Sequence, residues 1–227
     1  MAEEFDSYAI KYDALLSDPL REGFADTEFF HVRKLDLLLD FLGRMGKPPS
    51  NLAWLDVGCG QGELLQLGKM HFGRVAGCDP SAGMLKHCQS VEVKLQPSPA
   101  EVPYADNSFD LVTAVCVYHH VPHTERCRLT SRIQRIVKPD GFFVIIEHNP
   151  YNPVTQIIVR RCPVDVDAHL LSARLARYMQ AAAGLHPCRT EYFLCLPKRL
   201  YARFGAIERS ISSLPLGGQY ASFALKR

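Results

Sequence analysis

Residues 55–62 read Leu-Asp-Val-Gly-Cys-Gly-Gln-Gly, a glycine-rich loop that follows an apolar run and precedes a helical pattern. Glycine lets the backbone turn sharply and lets a ligand approach the main chain. A parallel sheet binds ligands beyond the carboxyl ends of its strands, which is where such a loop lies. Tight strand-to-helix turns also use glycine without a ligand, so the loop alone leaves both interpretations open.

An acidic residue follows the loop at the spacing expected for a nucleoside site. Asp79 lies 17 residues after Gly62, at the end of the next predicted strand. A carboxylate there can accept hydrogen bonds from both hydroxyls of a ribose. It can also cap a helix that starts near Ser81. The two roles are compatible, and the strand-end position favours the ribose.

Asp56, just ahead of the glycines, distinguishes between ligands. An acid there would repel the pyrophosphate of a dinucleotide, whereas S-adenosylmethionine carries an ammonium, a sulfonium and no phosphate. The glycines are not followed by lysine, which excludes a P-loop. The loop therefore predicts a site for S-adenosylmethionine.

On both sides of the loop, apolar runs of strand length alternate with helical patterns. The predicted strands are 52–57, 74–79, 91–96, 109–117, 142–146, 192–196 and 219–226, with a turn at 138–141. The predicted helices are 29–45 (Asp26 and Thr27 as N-cap residues), 64–70, 84–90, 171–183 and one that begins near Pro122. Such alternation predicts an α/β, doubly wound sheet with helices on both faces. Two final strands so close in sequence indicate that one runs antiparallel.

The same pattern predicts a single domain over residues 1–227. Residues 1–46 precede a proline-containing break at 47–51 and form an N-terminal helical cover. The segment 150–184 interrupts the alternation, and we expect it to be a helical insertion over the substrate site.

Composition excludes several classes of protein. Of the 227 residues, 47% are hydrophobic and 22% charged, unlike disordered, collagen-like or membrane-spanning chains. The net charge of +2 divides into −5 for residues 1–150 and +7 for residues 151–227. The basic excess indicates either a solvated surface or a face toward an anionic substrate. The 8 cysteines form no C-x-x-C pair and no secretory signal is evident, so we expect reduced thiols in a cytoplasmic protein.

These motifs, taken in order, resemble the class I S-adenosylmethionine-dependent methyltransferases of the small-molecule type over about residues 50–147. The matching stretches are 55–60 with Gly62, Asp79, 98–104 followed by 107–112, and 136–142. The resemblance implies a Rossmann-like sheet of seven strands with the last antiparallel. It also implies S-adenosylmethionine as cofactor and S-adenosylhomocysteine as product.

The resemblance further implies which residues contact each part of the cofactor. Those along the methionine moiety are Gly58, Cys59, Gly60, Gly62, Cys116 and Val117, with Asp79 at the ribose and Pro80 and Met84 at the adenine. Ser98 and Pro99 fall where relatives place an acid and a backbone N–H against the adenine, and this sequence departs from both. Tyr8 and Tyr12 match aromatic residues that close over the cofactor, and packing on the core is the alternative for each.

Candidates on the substrate side follow the fourth and fifth predicted strands, whose ends should be neighbours. They are His119, His120, Glu147, His148, Asn149 and Tyr151. His119 or His120 could be a general base, needed only if the nucleophile must lose a proton, and a structural role is the alternative. Spacing alone does not show convergence on an ion with supporting groups, so we expect no metal. The arginines of the insertion could bind an anionic group or lie on a solvated face; they are Arg160, Arg161, Arg174 and Arg177.

The sequence thus predicts a cytoplasmic enzyme that transfers a methyl group from S-adenosylmethionine to an O or N atom of a small molecule by in-line displacement. One alternative is a methyltransferase acting on RNA or protein, and the low net charge argues against nucleic acid as a partner. Another is a non-catalytic subunit that only binds the cofactor. We expect no membrane association, and the oligomeric state is not predicted.

Overall fold

The computed structural model describes residues 2–227, in which a single mixed sheet forms the centre. Its strands are β1 (Ala53–Val57), β2 (Arg74–Asp79), β3 (Glu92–Leu95), β4 (Phe109–Val115), β5 (Val137–His148), β6 (His186–Phe193) and β7 (Gln219–Leu225). The strand order is β3-β2-β1-β4-β5-β7-β6, and β7 pairs antiparallel with both of its neighbours while the other pairs are parallel. The predicted Rossmann-like sheet of seven strands with an antiparallel last strand is confirmed.

Helices pack on both faces of this sheet. They are α1 (Ala2–Tyr8), α2 (Tyr12–Leu15), α3 (Pro19–Phe24), α4 (Thr27–Arg44), α5 (Glu63–Gly68), α6 (Ala82–Leu85), α7 (His123–Ile136), α8 (Pro153–Arg161), α9 (Ala173–Ala182) and α10 (Lys198–Ser210). Short 3₁₀ turns lie at Ala9–Lys11, Pro49–Asn51 and Pro163–Asp165. Within residues 2–227, we find no helix with the length and apolar character that a membrane span requires.

The strand β5 shows how the core divides into two layers. Its side chains alternate, so that Phe143 and Ile145 pack with α7 and α9, while Phe142, Val144 and Ile146 pack with α4 and α5. Successive side chains of a strand point to opposite faces. A strand apolar on both faces is therefore covered by helices on both sides.

Helix α4 forms as its pattern predicts. The Asp26 side chain accepts a hydrogen bond from the Phe29 N–H at 2.8 Å and caps the helix. Leu38, Phe41 and Leu42 are fully buried on one side, and Phe41 stacks on Phe223 with ring centroids 4.0 Å apart. Burial of each such side chain stabilises the fold by about 1.5–3 kcal/mol.

Several elements differ from their predicted bounds. Cys116 has a positive φ of 56°, so β4 ends before it and not at residue 117. The predicted turn at 138–141 is instead the first part of β5, bent where Asp140 has a φ of 59°. The sixth strand lies at His186–Phe193 and not at 192–196, and the predicted helix at 84–90 is shorter, at Ala82–Leu85.

Helix α8 lies inside the predicted helical insertion, which had no helix bounds there, and α10 was not predicted at all; the reasons differ. The side chain of Asn152 caps α8 and Pro153 is its first residue. Both are ordinary start signals of a helix, so the sequence contained the information. Helix α10 lacks an apolar stripe toward the core, because its buried residues are Gly205 and Glu208. Its apolar residues Leu200, Phe204 and Ile207 do recur at helical spacing, but they are exposed, so the spacing does not mark a core face.

Candidate active site

The glycine loop connects β1 to α5 at the carboxyl end of the sheet. Gly58, Gly60 and Gly62 have φ of 73°, 55° and 80°, in the left-handed region. Residues with a Cβ rarely adopt this conformation, so the loop requires glycine at these positions. The Gly58 and Cys59 N–H groups both donate to the Cys78 carbonyl oxygen, which ties the loop to the end of β2.

Replacement of Gly58 tests this loop directly. A Cβ at residue 58 would lie 2.5 Å from Val117 Cγ2, in addition to the backbone strain. We expect Gly58→Ala to lower the free energy of unfolding by about 1–3 kcal/mol and to weaken binding of S-adenosylmethionine at least tenfold. Urea unfolding and calorimetry measure the two effects. Gly43→Ala, inside α4 with open space around it, is the control and should stabilise by about 0.5–1 kcal/mol.

Asp79 is a buried carboxylate at the end of β2 that organises the backbone around it. One carboxylate oxygen accepts from the Gly60 N–H at 2.9 Å and the other from the Ser81 N–H at 2.8 Å. Burial raises the pKa of Asp79, while these two hydrogen bonds oppose the rise. Ser81, and not Asp79, caps α6, through its hydroxyl and the Met84 N–H. The helix-capping alternative for Asp79 therefore gives way to a carboxylate that joins the glycine loop to the strand end.

Asp56 lies on the floor of the site in a chain of hydrogen bonds. The Trp54 Nε1–H donates to the Thr113 hydroxyl at 2.8 Å, and that hydroxyl donates to Asp56 at 2.5 Å. Burial raises the pKa of Asp56 to about 7, although the Thr113 hydrogen bond and the ammonium of Lys34 lower it. Asp56 thus changes charge near neutral pH.

This raised pKa predicts a pH dependence of stability. Between the unfolded pKa of about 3.9 and the folded value, the folded chain holds more protons at this position than the unfolded chain. The contribution of Asp56 to stability therefore falls as pH rises from about 4 to about 7. The free energy of unfolding of the wild type minus that of Asp56→Asn should fall by up to about 1.4 kcal/mol per pH unit in this window. A difference that stays constant in urea titrations across the window would contradict the raised pKa.

A cavity of about 370 Å³ opens beside the loop and Asp79. The predicted cofactor residues in its wall are Tyr12, Asp56, Gly58, Cys59, Gly60, Asp79, Pro80, Met84, Pro99, Cys116 and Val117. The predicted substrate-side residues in the same wall are His119, His120 and His148. The structure therefore brings most of the predicted cofactor residues and half of the predicted substrate-side residues to one cavity.

Other predicted site residues lie outside the cavity wall. Asn149 is fully buried and its amide donates to the carbonyl oxygens of Pro215 and Gly217, while Tyr151 is exposed. Tyr8 packs edge-on against Phe5. The remaining residues outside the wall are Gly62, Ser98, Glu147, Arg160, Arg174 and Arg177. Of these, Glu147 still acts on the site, through His119.

The N-terminal segment closes one side of the cavity. Phe5 contacts the His120 ring edge-on, with centroids 5.1 Å apart. The Asp6 carboxylate accepts from the Ser81 hydroxyl at 2.6 Å and from the Gly83 N–H at 2.7 Å. The Gln61 side chain of the glycine loop donates to the Ala9 carbonyl at 2.7 Å. The segment is thus bonded to both the glycine loop and the end of β2.

A group of histidines and carboxylates forms another part of the cavity wall. His119 Nδ1 lies 2.5 Å from a Glu147 carboxylate oxygen, and the other oxygen of Glu147 accepts from the Tyr118 N–H at 2.7 Å. Burial alone would lower the pKa of His119, but Glu147 and Asp165 outweigh it and raise that pKa well above its usual value. Burial lowers the pKa of His120 and of His148 to about 4. Two neutral imidazoles therefore face the cavity beside a charged pair.

Asp165, in the 3₁₀ turn after α8, completes this group. Its Oδ1 lies 3.4 Å from Nε2 of His119 and 3.4 Å from Nε2 of His120. Burial would raise the pKa of Asp165, but His119 and the neighbouring imidazoles lower it to about 2. Asp165 was not predicted, because only the fold brings this turn to the end of β4.

Lys34 is a second residue that the sequence did not single out. It lies on α4, is buried, and lines the cavity. Its ammonium acts electrostatically on Asp56 and His148. A lysine at a buried position of an amphipathic helix was the available signal, since lysine is almost never fully buried unless it is paired.

Comparisons with known proteins place these features in context. Residues 55–145 match the family model described as a methyltransferase domain. The chain is 28% identical over 156 residues to a tRNA (carboxymethyluridine(34)-5-O)-methyltransferase of Arabidopsis thaliana, covering 68% of this chain and 37% of that protein. It is 26% identical over 148 residues to the 27-O-demethylrifamycin SV methyltransferase of Amycolatopsis mediterranei, covering 60% and 54%. The chain thus spans about a third to a half of the length of these curated relatives.

Solved structures share the fold. A SAM-dependent methyltransferase from Thermotoga maritima superposes with a TM-score of 0.72 at 16% identity, with 100% of both chains covered. The geranyl diphosphate C-methyltransferase of Streptomyces coelicolor, solved with S-adenosylhomocysteine, gives a TM-score of 0.63 at 19% identity and covers 94% of this chain and 88% of its own. At such identities the likeness concerns the architecture alone.

Proposed function

The chain belongs to the class I S-adenosylmethionine-dependent methyltransferase family, and from this membership we propose that it methylates an O or N atom of a small molecule. The observation that carries the proposal is the covered cavity of about 370 Å³, whose wall joins the glycine loop to the histidines after β4. Small-molecule sites are concave and mostly apolar, with a few placed polar groups. The small-molecule relative 27-O-demethylrifamycin SV methyltransferase supports the same class.

The residues present fit S-adenosylmethionine. Asp79 is placed to accept from the ribose hydroxyls, because each carboxylate oxygen has a lone pair beyond its backbone hydrogen bond. When ionised, Asp56 is opposite in charge to the ammonium of Lys34, and the two groups in the wall suit the ammonium and carboxylate of an amino acid. Gly58 and Gly60 leave the backbone open to close approach. Pro99 has no N–H for the adenine ring, so other groups must recognise that ring.

The remaining residues align the substrate and exclude water. When bound, S-adenosylmethionine supplies an electrophilic methyl carbon with a neutral sulfide as leaving group. A substrate nucleophile that carries a proton would have to release it during the transfer. The neutral imidazole of His120 is placed in the wall to accept that proton. Alignment in a closed site supplies most of the acceleration expected for such a displacement.

We also propose roles for the two segments that cover the cavity. Residues 1–46 would act as an N-terminal cover, and the segment 150–184 as an insertion over the substrate half of a single domain. Val154, Ile158 and Cys162 of that segment line the cavity. Arg161 pairs with Asp18, Nε to Oδ2, at 3.0 Å, which connects the two covers. A compact substrate fits such an arrangement better than a polymer.

The relative from Arabidopsis thaliana favours a second candidate, methylation of tRNA. A single experiment separates the possibilities. Purified chain is incubated with S-adenosylmethionine and either a panel of small hydroxyl and amine compounds or bulk tRNA, and S-adenosylhomocysteine is measured. Release with the small molecules alone supports the proposal, and release with tRNA alone overturns it in favour of the second candidate. Binding of S-adenosylmethionine without release on any substrate indicates a non-catalytic partner subunit.

A further inference from the structure

We propose that His119, His120 and Asp165 bind one zinc ion in the wall of the cavity, where it would hold the accepting atom of the substrate. The three side chains each offer one ligand atom, and these atoms lie within 4.8 Å of one another. The role of the ion in catalysis rests on the proposed methyl transfer, whereas the site itself rests only on this geometry. It departs from the expectation of no metal, because spacing along the chain did not place Asp165 beside the histidines.

The separations of the ligand atoms fit a tetrahedral ion. Asp165 Oδ1 lies 3.4 Å from Nε2 of both His119 and His120. These separations exceed the 2.7–3.2 Å of ordinary N–H···O hydrogen bonds. Ligands about 2.0–2.1 Å from a tetrahedral zinc ion lie about 3.3–3.4 Å apart, whereas an octahedral ion of similar bond length would bring them to about 3.0 Å. The two separations to Asp165 therefore fit tetrahedral zinc, and the two histidine nitrogens lie within 4.8 Å of each other.

Glu147 supplies the support that histidine ligands of metals have. It accepts from Nδ1–H of His119, so that loss of the other ring proton would free Nε2, which lies 3.4 Å from Asp165 Oδ1, to bind the ion. Ligating histidines almost always donate their other N–H to a carboxylate or carbonyl in this way. Glu147 is itself held by the Tyr118 N–H at 2.7 Å and is fully buried. Glu147 thus fixes the orientation of the His119 ring from the side opposite the proposed ion.

The negative charge of this cluster of histidines and carboxylates also favours a bound cation. Glu147 and Asp165 are two carboxylates in one buried cluster. In the part of the chain that the structure describes, neither forms an ion pair with a lysine or an arginine. Buried charges are paired or coordinate metals. A divalent ion would replace the proton that otherwise lies on His119.

The site keeps one position for a substrate. Three protein ligands leave the fourth position of a tetrahedral zinc ion to water or substrate, as in catalytic zinc sites. The side chains of His120 and Asp165 retain 16% and 11% exposure, and both line the cavity. A bound ion would lower the pKa of a hydroxyl in that position and so prepare it for methylation. It would do so in place of proton transfer to His120, because an imidazole that ligates the ion cannot also accept a proton. The substrate class that follows is a small molecule with a metal-binding hydroxyl.

The test measures metal binding separately from catalysis. Chelator-treated chain is titrated with Zn²⁺ by calorimetry, and with Co²⁺ while the visible absorption is recorded. The variants are Asp165→Asn, His120→Gln and Glu147→Gln, with His123→Gln as the matched control because His123 is exposed and stacks on His169. Circular dichroism checks that each variant is folded, and S-adenosylmethionine binding is measured on every sample.

We expect one zinc ion per chain and the intense absorption of tetrahedral Co²⁺ in the wild type and in His123→Gln. Asp165→Asn and His120→Gln should weaken zinc at least tenfold, and Glu147→Gln about 10–100-fold. Weak or substoichiometric zinc in the wild type, or equal affinity in the Asp165 variant, would overturn the site even if S-adenosylmethionine binds. Zinc binding without any binding of S-adenosylmethionine would instead leave the site standing and refute the proposed function.

Discussion

Asp79→Asn should weaken the binding of S-adenosylmethionine by about 30- to 150-fold. The substitution removes the charge and one acceptor at the strand end, where the carboxylate would receive the ribose hydroxyls. A hydrogen bond to a charged group contributes about 1.5–3 kcal/mol, and two such bonds would be weakened here. Each 1.4 kcal/mol corresponds to a factor of ten in affinity. The loss should be measured by calorimetry, and turnover at low cofactor concentration should fall with it.

Two controls make this result specific. Asp106→Asn removes an exposed carboxylate that pairs with Arg135, and it should leave cofactor affinity unchanged. Asp79 also holds the Gly60 and Ser81 N–H groups, and asparagine keeps one acceptor for them. The thermal midpoint of the variant therefore shows whether the loop is still formed. A folded variant that binds S-adenosylmethionine as tightly as the wild type would refute the assignment of Asp79.

Glu208→Ala should lower the free energy of unfolding by about 3–5 kcal/mol, because it leaves a buried charge without its partner. The Glu208 carboxylate lies 2.7 Å from the guanidinium of Arg33, and both side chains are almost fully buried. It also accepts from the N–H groups of Cys195 and Leu196, each at 2.9 Å. Those N–H groups would lose their acceptors together with the ion pair.

An exposed pair of the same kind is the control. Arg74 and Glu92 lie 2.7 Å apart with both side chains more than 40% exposed, and Glu92→Ala should cost only about 0–1 kcal/mol. Urea unfolding measures both variants. Equal small losses would show that the buried pair contributes no more than a surface pair. Leu194 and Cys195 line the cavity, so Glu208→Ala should also weaken cofactor or substrate binding.

The parts of the fold that could be predicted depend on local signals. Alternating apolar runs placed β1, β2 and β4 to within about two residues at each end. The glycines and Asp79 identified the cofactor side, because a glycine-rich loop and a carboxylate at a strand end can both be recognised in short stretches of sequence. Helix α10 was missed although Leu200, Phe204 and Ile207 recur at helical spacing, and the sequence could not show that Glu208 holds this helix through the distant Arg33. A tertiary contact leaves no period in the local sequence.

The substrate side shows the same limit more sharply. His119, His120 and His148 lie at strand ends, and their position in the cavity wall could be expected from the sheet topology. Asp165 reaches the same wall from a 3₁₀ turn and Lys34 from α4, both far away in sequence, so no spacing among the site motifs pointed to them. Asn149 follows a strand end as the histidines do, but its amide is used by the carbonyls of 215 and 217. Its position in the chain places it near the site, but the hydrogen bonds of its amide to these carbonyls keep its side chain out of the cavity wall.

The hydrogen-bonded chain below the cavity has an optical consequence. The sequence contains a single tryptophan, Trp54, which is fully buried. Its indole N–H reaches Asp56 through a single hydroxyl, that of Thr113. A change in charge at Asp56 alters the electric field at the indole. The tryptophan fluorescence should therefore report the charge of Asp56 at the floor of the site. Ligand arrival, protonation of Asp56 and unfolding can all be followed in the unlabelled chain by fluorescence alone.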